Sequence, residues 1–267
     1  MGAGHRLDST MRFPRQMTLG AIPDDAGIEA MGGSRAADAS AGCAHGFSPV
    51  ADVNNNPANP VIDDRSFGED RELVARKAVA YMRGLRRTEG VIATAKHFPG
   101  HGDTEVDSHL GLPLIAHTRA RLDSLELYPF ERMVSEGLSA MMVGHLEVPA
   151  LDTTPGLPST LSRNVVSDLL EKELGFKGLM FTDALNMKGV ANADKPGEMS
   201  CARCWPATMC SSSPEPGTGH RRIKRAVDSG LVPREMMSHK CLKCTRQGVG
   251  RVEQTHDRVH RRLVCRT

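Results

Sequence analysis

Short apolar runs alternate with amphipathic stretches from residue 47 to residue 183, and this alternation restricts the fold more than any other feature of the chain. Phe47 to Val53, Val91 to Ala95, Ala140 to His145 and Gly178 to Thr182 read as strands. Between them, residues 69 to 87 predict a helix with Val74, Ala78, Met82 and Leu85 on one apolar stripe and Arg76, Lys77 and Arg83 elsewhere. Thr118 is placed to cap a helix carrying Leu122, Leu125, Phe130 and Met133, which Pro129 should distort. Ser162 is placed to cap another, carrying Val165, Leu169 and Leu170 and ending at Gly175. Residues 20 to 45 read as an Ala-rich helix weakened by Gly27, Gly32 and Gly33. With ~35 to 50 residues per repeat, this order favours parallel strands joined by right-handed crossovers. A β/α barrel and an open doubly wound sheet both satisfy it. Polar residues follow three strands in turn (Asp52 to Asn56, His97 to His109, and Asp183), which suits a barrel with its site at the C-terminal face. Four strands are legible, whereas a closed barrel of this kind needs about eight.

Composition removes several alternatives. The net charge of +2 is too near neutral to suggest a nucleic-acid partner. Aromatics make up only 4% of the chain, so a core must rest on aliphatics and Met. No apolar run reaches the ~18 residues of a membrane span, and residues 1 to 20 show no signal-peptide core, so the chain as written reads as soluble and cytoplasmic. Of seven cysteines only Cys43 precedes residue 200, which fits a reducing compartment for that part.

The chemistry concentrates in residues 96 to 113. His97, His101, His109, Asp103 and Asp107 lie within 13 residues, among glycines and a proline that favour neither helix nor strand. The bland alternative is a solvated polar loop. Lys96, at the end of a buried strand, would be an unpaired buried charge unless something meets it. Asp183 stands directly after the last strand, where a nucleophile and a helix N-cap are both reasonable roles. Asp107 projects to the same side as His109 if that segment is extended. The three histidines could mimic a ligand set, but no tetrahedral pattern accompanies them, and neither a metal nor a cofactor is expected.

Lys96-His-Phe-Pro-Gly-His-Gly-Asp-Thr-Glu-Val-Asp-Ser-His-Leu-Gly-Leu-Pro113 and Phe181-Thr-Asp-Ala-Leu-Asn-Met187 together resemble glycoside hydrolase family 3, in its β-N-acetylglucosaminidase branch, over roughly residues 4 to 198. The resemblance implies an α/β fold, a partial (β/α)8 TIM barrel with its first and last strands missing. It implies a retaining glycosidase releasing terminal β-N-acetylglucosamine from a carbohydrate substrate, with cell-wall fragments as the source. By that resemblance Asp183 is the nucleophile, and His109 donates the proton with Asp107 beside it. Lys96, His97, Arg65 and Arg6 grip the sugar hydroxyls. His101 and Asp103 brace the loop. The alternatives are a truncated, inactive sugar-binding remnant and a phosphorolytic variant.

After Glu198 the pattern changes, dividing the chain into a partial barrel domain over residues 1 to 198 and an irregular Cys- and Arg-rich tail over residues 199 to 267. Periodicity is lost over 199 to 222, returns over 223 to 236, and is lost again after Lys243, as shifts of reading frame in the source nucleotide sequence would cause. The competing reading is a zinc module from Cys201, Cys204, Cys241 and Cys244, although 36 residues separate the two pairs, more than a compact ribbon uses. With strands missing, the chain is expected not to form a stable, active barrel.

Overall fold

Four short runs of apolar residues form a parallel sheet whose strands lie side by side in chain order. The structure is a computed structural model and describes residues 13–39, 45–88, 91–107, 111–184, 187, 190, 224, 227–230 and 233–235. The strands are β1 (His45–Gly46), β2 (Ile92–Phe98), β3 (Ala140–Val143) and β4 (Leu179–Thr182), each parallel to the next. Helices α1 (Gln16–Gly20) and α2 (Asp25–Ala39) precede the sheet; α3 (Arg71–Arg86) links β1 to β2, and α4 (Arg119–Ser124) and α5 (Tyr128–Ser135) link β2 to β3. A π-helix, Asn164–Glu173, links β3 to β4. No helix among the described residues is long and apolar enough to cross a membrane.

Both faces of the sheet are buried, which explains why its strands read as continuous apolar runs and not as alternating ones. Ala93, Ala95, Phe98, Met141, Val143 and Met180 pack into one large cluster with the helices. Ile92, Ala140, Met142, Leu179 and Phe181 form a second, smaller cluster on the opposite face. Register puts Thr94, Ala140 and Leu179 in line, and Lys96, Met142 and Phe181 in line one step further along the strands. Lys96 therefore shares the face of the smaller cluster, and Asp183, two residues beyond Phe181, continues it.

Several expectations need correction. The strand expected over residues 47 to 53 reduces to His45–Gly46 followed by an extended run. That run still accompanies β2, with the Thr94 amide donating to the Ser48 carbonyl (2.8 Å) and the Ala51 amide to the Lys96 carbonyl (2.7 Å). Pro49 interrupts it because proline brings no N–H to a ladder. The next strand is longer than Val91 to Ala95, reaching Phe98, so Lys96 and His97 belong to β2 and not to the loop. Pro129 divides the helix expected after Thr118 into two and sits in the first turn of α5, where its missing N–H costs nothing. The Ala-rich helix starts only at Asp25. Lys77, outside the expected apolar stripe, is nevertheless fully buried; its ammonium pairs with Asp25 (2.8 Å) and donates to the Ile22 carbonyl. Gly32, read as a weakness, is required. A Cβ there would lie 2.6 Å from the Tyr81 carbonyl oxygen, and one at Gly84 only 2.0 Å from that of Glu29, so α2 and α3 touch backbone to backbone.

Local signals elsewhere hold. Thr118 accepts the Arg121 amide (3.3 Å) as expected, and Asp70, for which the sequence reading named no role, caps α3 by accepting the Leu73 amide (2.7 Å). Ser162 accepts the Val165 amide (3.2 Å) at the start of the π-helix, and Gly175 follows that helix at φ +66°.

Candidate active site

The extended run after β1, the end of β2 and the end of β4 open on the same side of the sheet, and the polar residues that follow them meet there. Asp52 is the hub. It is fully buried, and its carboxylate accepts the His97 amide on both oxygens (3.1 Å each), the His97 ring Nδ1–H (2.8 Å) and the His101 amide (2.8 Å). Burial alone would raise the Asp52 pKa, but His97 and His101 with their N–H groups outweigh it and hold the carboxyl below the ordinary range. The bonding also fixes the His97 tautomer. Arg65 contributes only donors and lies 3.3 Å from His97 Nε2, so Nε2 accepts and the proton sits on Nδ1, facing Asp52. Burial keeps that imidazole neutral against the pull of Asp52.

A register shift between Lys96 and Phe98 lets both pair with successive residues of β3, Met142 and Val143, and leaves His97 as the extra residue. Adjacent side chains can thus serve one site. Burial, and then the nearby Arg65 charge, pull the Lys96 pKa down to about 8, while Asp183 and Asp52 act in the opposite direction. Asp183 follows β4. Its amide continues the ladder to the Val143 carbonyl (2.9 Å), and its Oδ1 accepts the Ala184 amide (2.8 Å). Burial opposes its ionisation, but His97, the Ala184 amide, His145 and Lys96 together keep its carboxyl below the usual range. The site therefore combines an ionised carboxylate at a strand end with a lysine, an arginine and a neutral histidine.

The loop after β2 is fastened from below. Asn59 Nδ2 donates to the carbonyls of His101 (2.8 Å) and Gly102 (2.9 Å), while its Oδ1 accepts the amides of Val61 and Ile62. A Cβ on Gly102 would lie 1.8 Å from the Val53 carbonyl oxygen, so the loop rests directly on that backbone. The His101 ring shares a hydrogen bond with Thr104 (2.8 Å), and burial lowers its pKa to about 4. Asp103 accepts from Asn55 (3.1 Å) and His117 (2.7 Å).

Of the residues expected from sequence, the structure brings Asp183, Lys96, His97 and Arg65 together. Asp107 is half-buried in the loop, and its carbonyl accepts the Gly111 amide (3.1 Å). Arg6, His109 and the four tail cysteines lie outside the described residues. Metal-like spacing among the described residues occurs at Asp103, His117 and Glu126. There Arg121 already stands 3.2 Å from Glu126 and 3.9 Å from Asp103, as a built-in cation. Sequence reasoning placed Asp52 and His145 at strand ends but gave neither a role in the site. Both stand in or just after apolar runs that end toward the site, which was the available signal.

Known proteins resemble this chain in sequence and in fold. The family model described as the glycosyl hydrolase family 3 N terminal domain matches residues 1–246. Beta-hexosaminidase A of Pseudoalteromonas piscicida is 39% identical over 160 residues, covering 56% of this chain and 27% of its own. Beta-hexosaminidase of Neisseria meningitidis serogroup C is 37% identical over 195 residues, 70% of this chain and 53% of its own. The chain thus spans between about a quarter and about half of these relatives. Among solved structures, a glycoside hydrolase family 3 beta-N-acetylglucosaminidase from Paenibacillus sp. str. FPU-7 superposes with a TM-score of 0.84 at 35% identity, covering 91% of this chain and 47% of that one.

Proposed function

The chain belongs to glycosyl hydrolase family 3, and from that membership we propose that its site is that of a retaining β-N-acetylhexosaminidase acting on terminal N-acetylglucosamine, with cell-wall fragments as the substrate class. The architecture we propose is part of a (β/α)8 barrel, with residues 199 to 267 as a separate tail. The consecutive order of four parallel strands supports it, as does the cluster of inward residues beneath Lys96 and Asp183.

In the first step the Asp183 carboxylate attacks the anomeric carbon from one face of the sugar. The glycosidic bond breaks, its electron pair goes to the leaving oxygen, and that oxygen takes a proton from His109, which Asp107 holds in its charged form. In the second step the same histidine accepts a proton from water as the water displaces Asp183. Lys96, His97, Arg65 and Arg6 hold the sugar hydroxyls. Neutral His97, with its proton on Nδ1, offers Nε2 as an acceptor toward Arg65 and fixes that guanidinium beside the sugar. The observation that carries this reading is the half-buried, ionised Asp183 directly after β4, beside Lys96 and His97.

The test is release of the chromophore from a chromogenic N-acetylglucosaminide. Where turnover is found, Asp183→Asn is expected to abolish it while leaving N-acetylglucosamine binding largely intact. A variant within about tenfold of the parent rate rules out the nucleophile role. Binding without turnover in the parent favours the inactive remnant.

A further inference from the structure

One buried histidine beside the proposed nucleophile has no part in the chemistry above. His145 lies two residues after β3 and is 1% exposed. Its Nε2 stands 3.2 Å from the Ala184 carbonyl oxygen, and its Nδ1 stands 2.9 Å from the Thr160 hydroxyl. A carbonyl only accepts, so Nε2 carries the proton. Nδ1 is then the acceptor and Thr160 the donor. The fold sets up this chain of bonds deliberately. The loop after β3 turns back on itself, with the Ser159 amide donating to the Leu146 carbonyl (2.7 Å) and the Ser159 hydroxyl to the Gly144 carbonyl (2.7 Å), which brings Thr160 under the ring.

Ala184 is held on both sides. Its amide donates to Asp183 Oδ1 (2.8 Å), and its carbonyl accepts from His145. We propose that His145 is a positioning residue for Asp183: the relay from the Thr160 hydroxyl through the imidazole to the Ala184 carbonyl fixes the backbone after the nucleophile, and with it the direction in which the carboxylate faces the sugar. The inference rests on the nucleophile reading of Asp183. It identifies His145 as a residue that does not touch substrate yet sets the attack geometry. A misplacement of about 1 Å at a reacting atom costs on the order of a hundredfold in rate, so the relay should appear in kcat rather than KM.

Two near-isosteric substitutions separate the bonds. Gln places its amide N–H near the position of Nε2, whereas Asn places its polar atoms near Nδ1 and leaves the Ala184 carbonyl without a donor. With a chromogenic N-acetylglucosaminide, His145→Asn is expected to lower kcat by about 30-fold with KM within about threefold, and His145→Gln to keep kcat within about fivefold. Equal losses in both variants, or no loss in either, overturn the proposal. A second measurement does not depend on turnover. In 15N-histidine NMR spectra of the whole chain, with the His145 signal identified by its loss in His145→Gln, the ring is expected to be neutral with its proton on Nε2 at neutral pH. The Ala184 amide resonance is expected to stay in place in His145→Gln and to move in His145→Asn. A proton on Nδ1, or an Ala184 resonance that moves equally in both variants, overturns the relay even in an active protein. A chain without glycosidase activity that passes the NMR test sinks the proposed function and leaves the relay standing.

Discussion

Asp52 and Lys96 show how much of the site depends on single side chains. Replacing Asp52 with Ala leaves two backbone amides and the His97 Nδ1–H buried without their acceptor. Each buried donor left without an acceptor costs about 1 to 3 kcal/mol, and the midpoint of urea unfolding is expected to fall accordingly, along with any sugar binding. Lys96 makes a prediction about pH. Its pKa is lowered from 10.5 to about 8, so the ammonium that grips the sugar is lost as pH rises above about 8, and kcat/KM should fall there. Stability moves the other way. Between pH 8 and 10.5 the unfolded chain holds a proton that the folded chain has released, so the Lys96 contribution to stability rises with pH across that window. A pH–rate profile whose alkaline limb persists unchanged in Lys96→Met assigns the limb to another group.

At the scale of elements, the contact between α2 and α3 decides more than helix propensity does. Glycine lowers helix propensity by up to about 1 kcal/mol, yet Gly32 and Gly84 permit an approach that no larger residue allows. Gly84→Ala gains propensity but drives a methyl group against the Glu29 carbonyl. Overpacking of this kind costs about 1 to 3 kcal/mol, so the net change is expected to be destabilising, read as a lower unfolding midpoint. A more stable variant would mean that α2 and α3 separate freely. The strand and helix order was legible because each element carries its own period and caps. The broken run around Pro49 and the divided helix at Pro129 were less legible, because each proline is compatible with more than one local solution.

The whole molecule is governed by the edges of its sheet. Among the described residues β1 pairs only with β2, and β4 only with β3. An exposed strand edge presents unpaired N–H and C=O groups to other chains. Sedimentation velocity on the 267-residue chain is expected to show association that increases with concentration, and heat unfolding followed by circular dichroism to be broad. A monomer with one sharp cooperative transition would mean that both edges are covered in solution.

The sequence by itself determined the alternating parallel architecture, the side of the sheet on which chemistry lies, and the placing of Asp183, Lys96, His97 and Arg65 in one site. The first two follow from periodicity and from polar residues at strand ends, which are local properties of the chain; the third follows from the resemblance to glycosyl hydrolase family 3. Only the tertiary structure decided that Asp52 is the hub, 45 residues from the His97 it orients, that Lys77 is buried against Asp25, and that His145 reaches Ala184 across 39 residues. A buried polar residue takes its role from the partner that satisfies it. When that partner arrives from a distant stretch of the chain, neither the period nor the composition around the residue carries any trace of it.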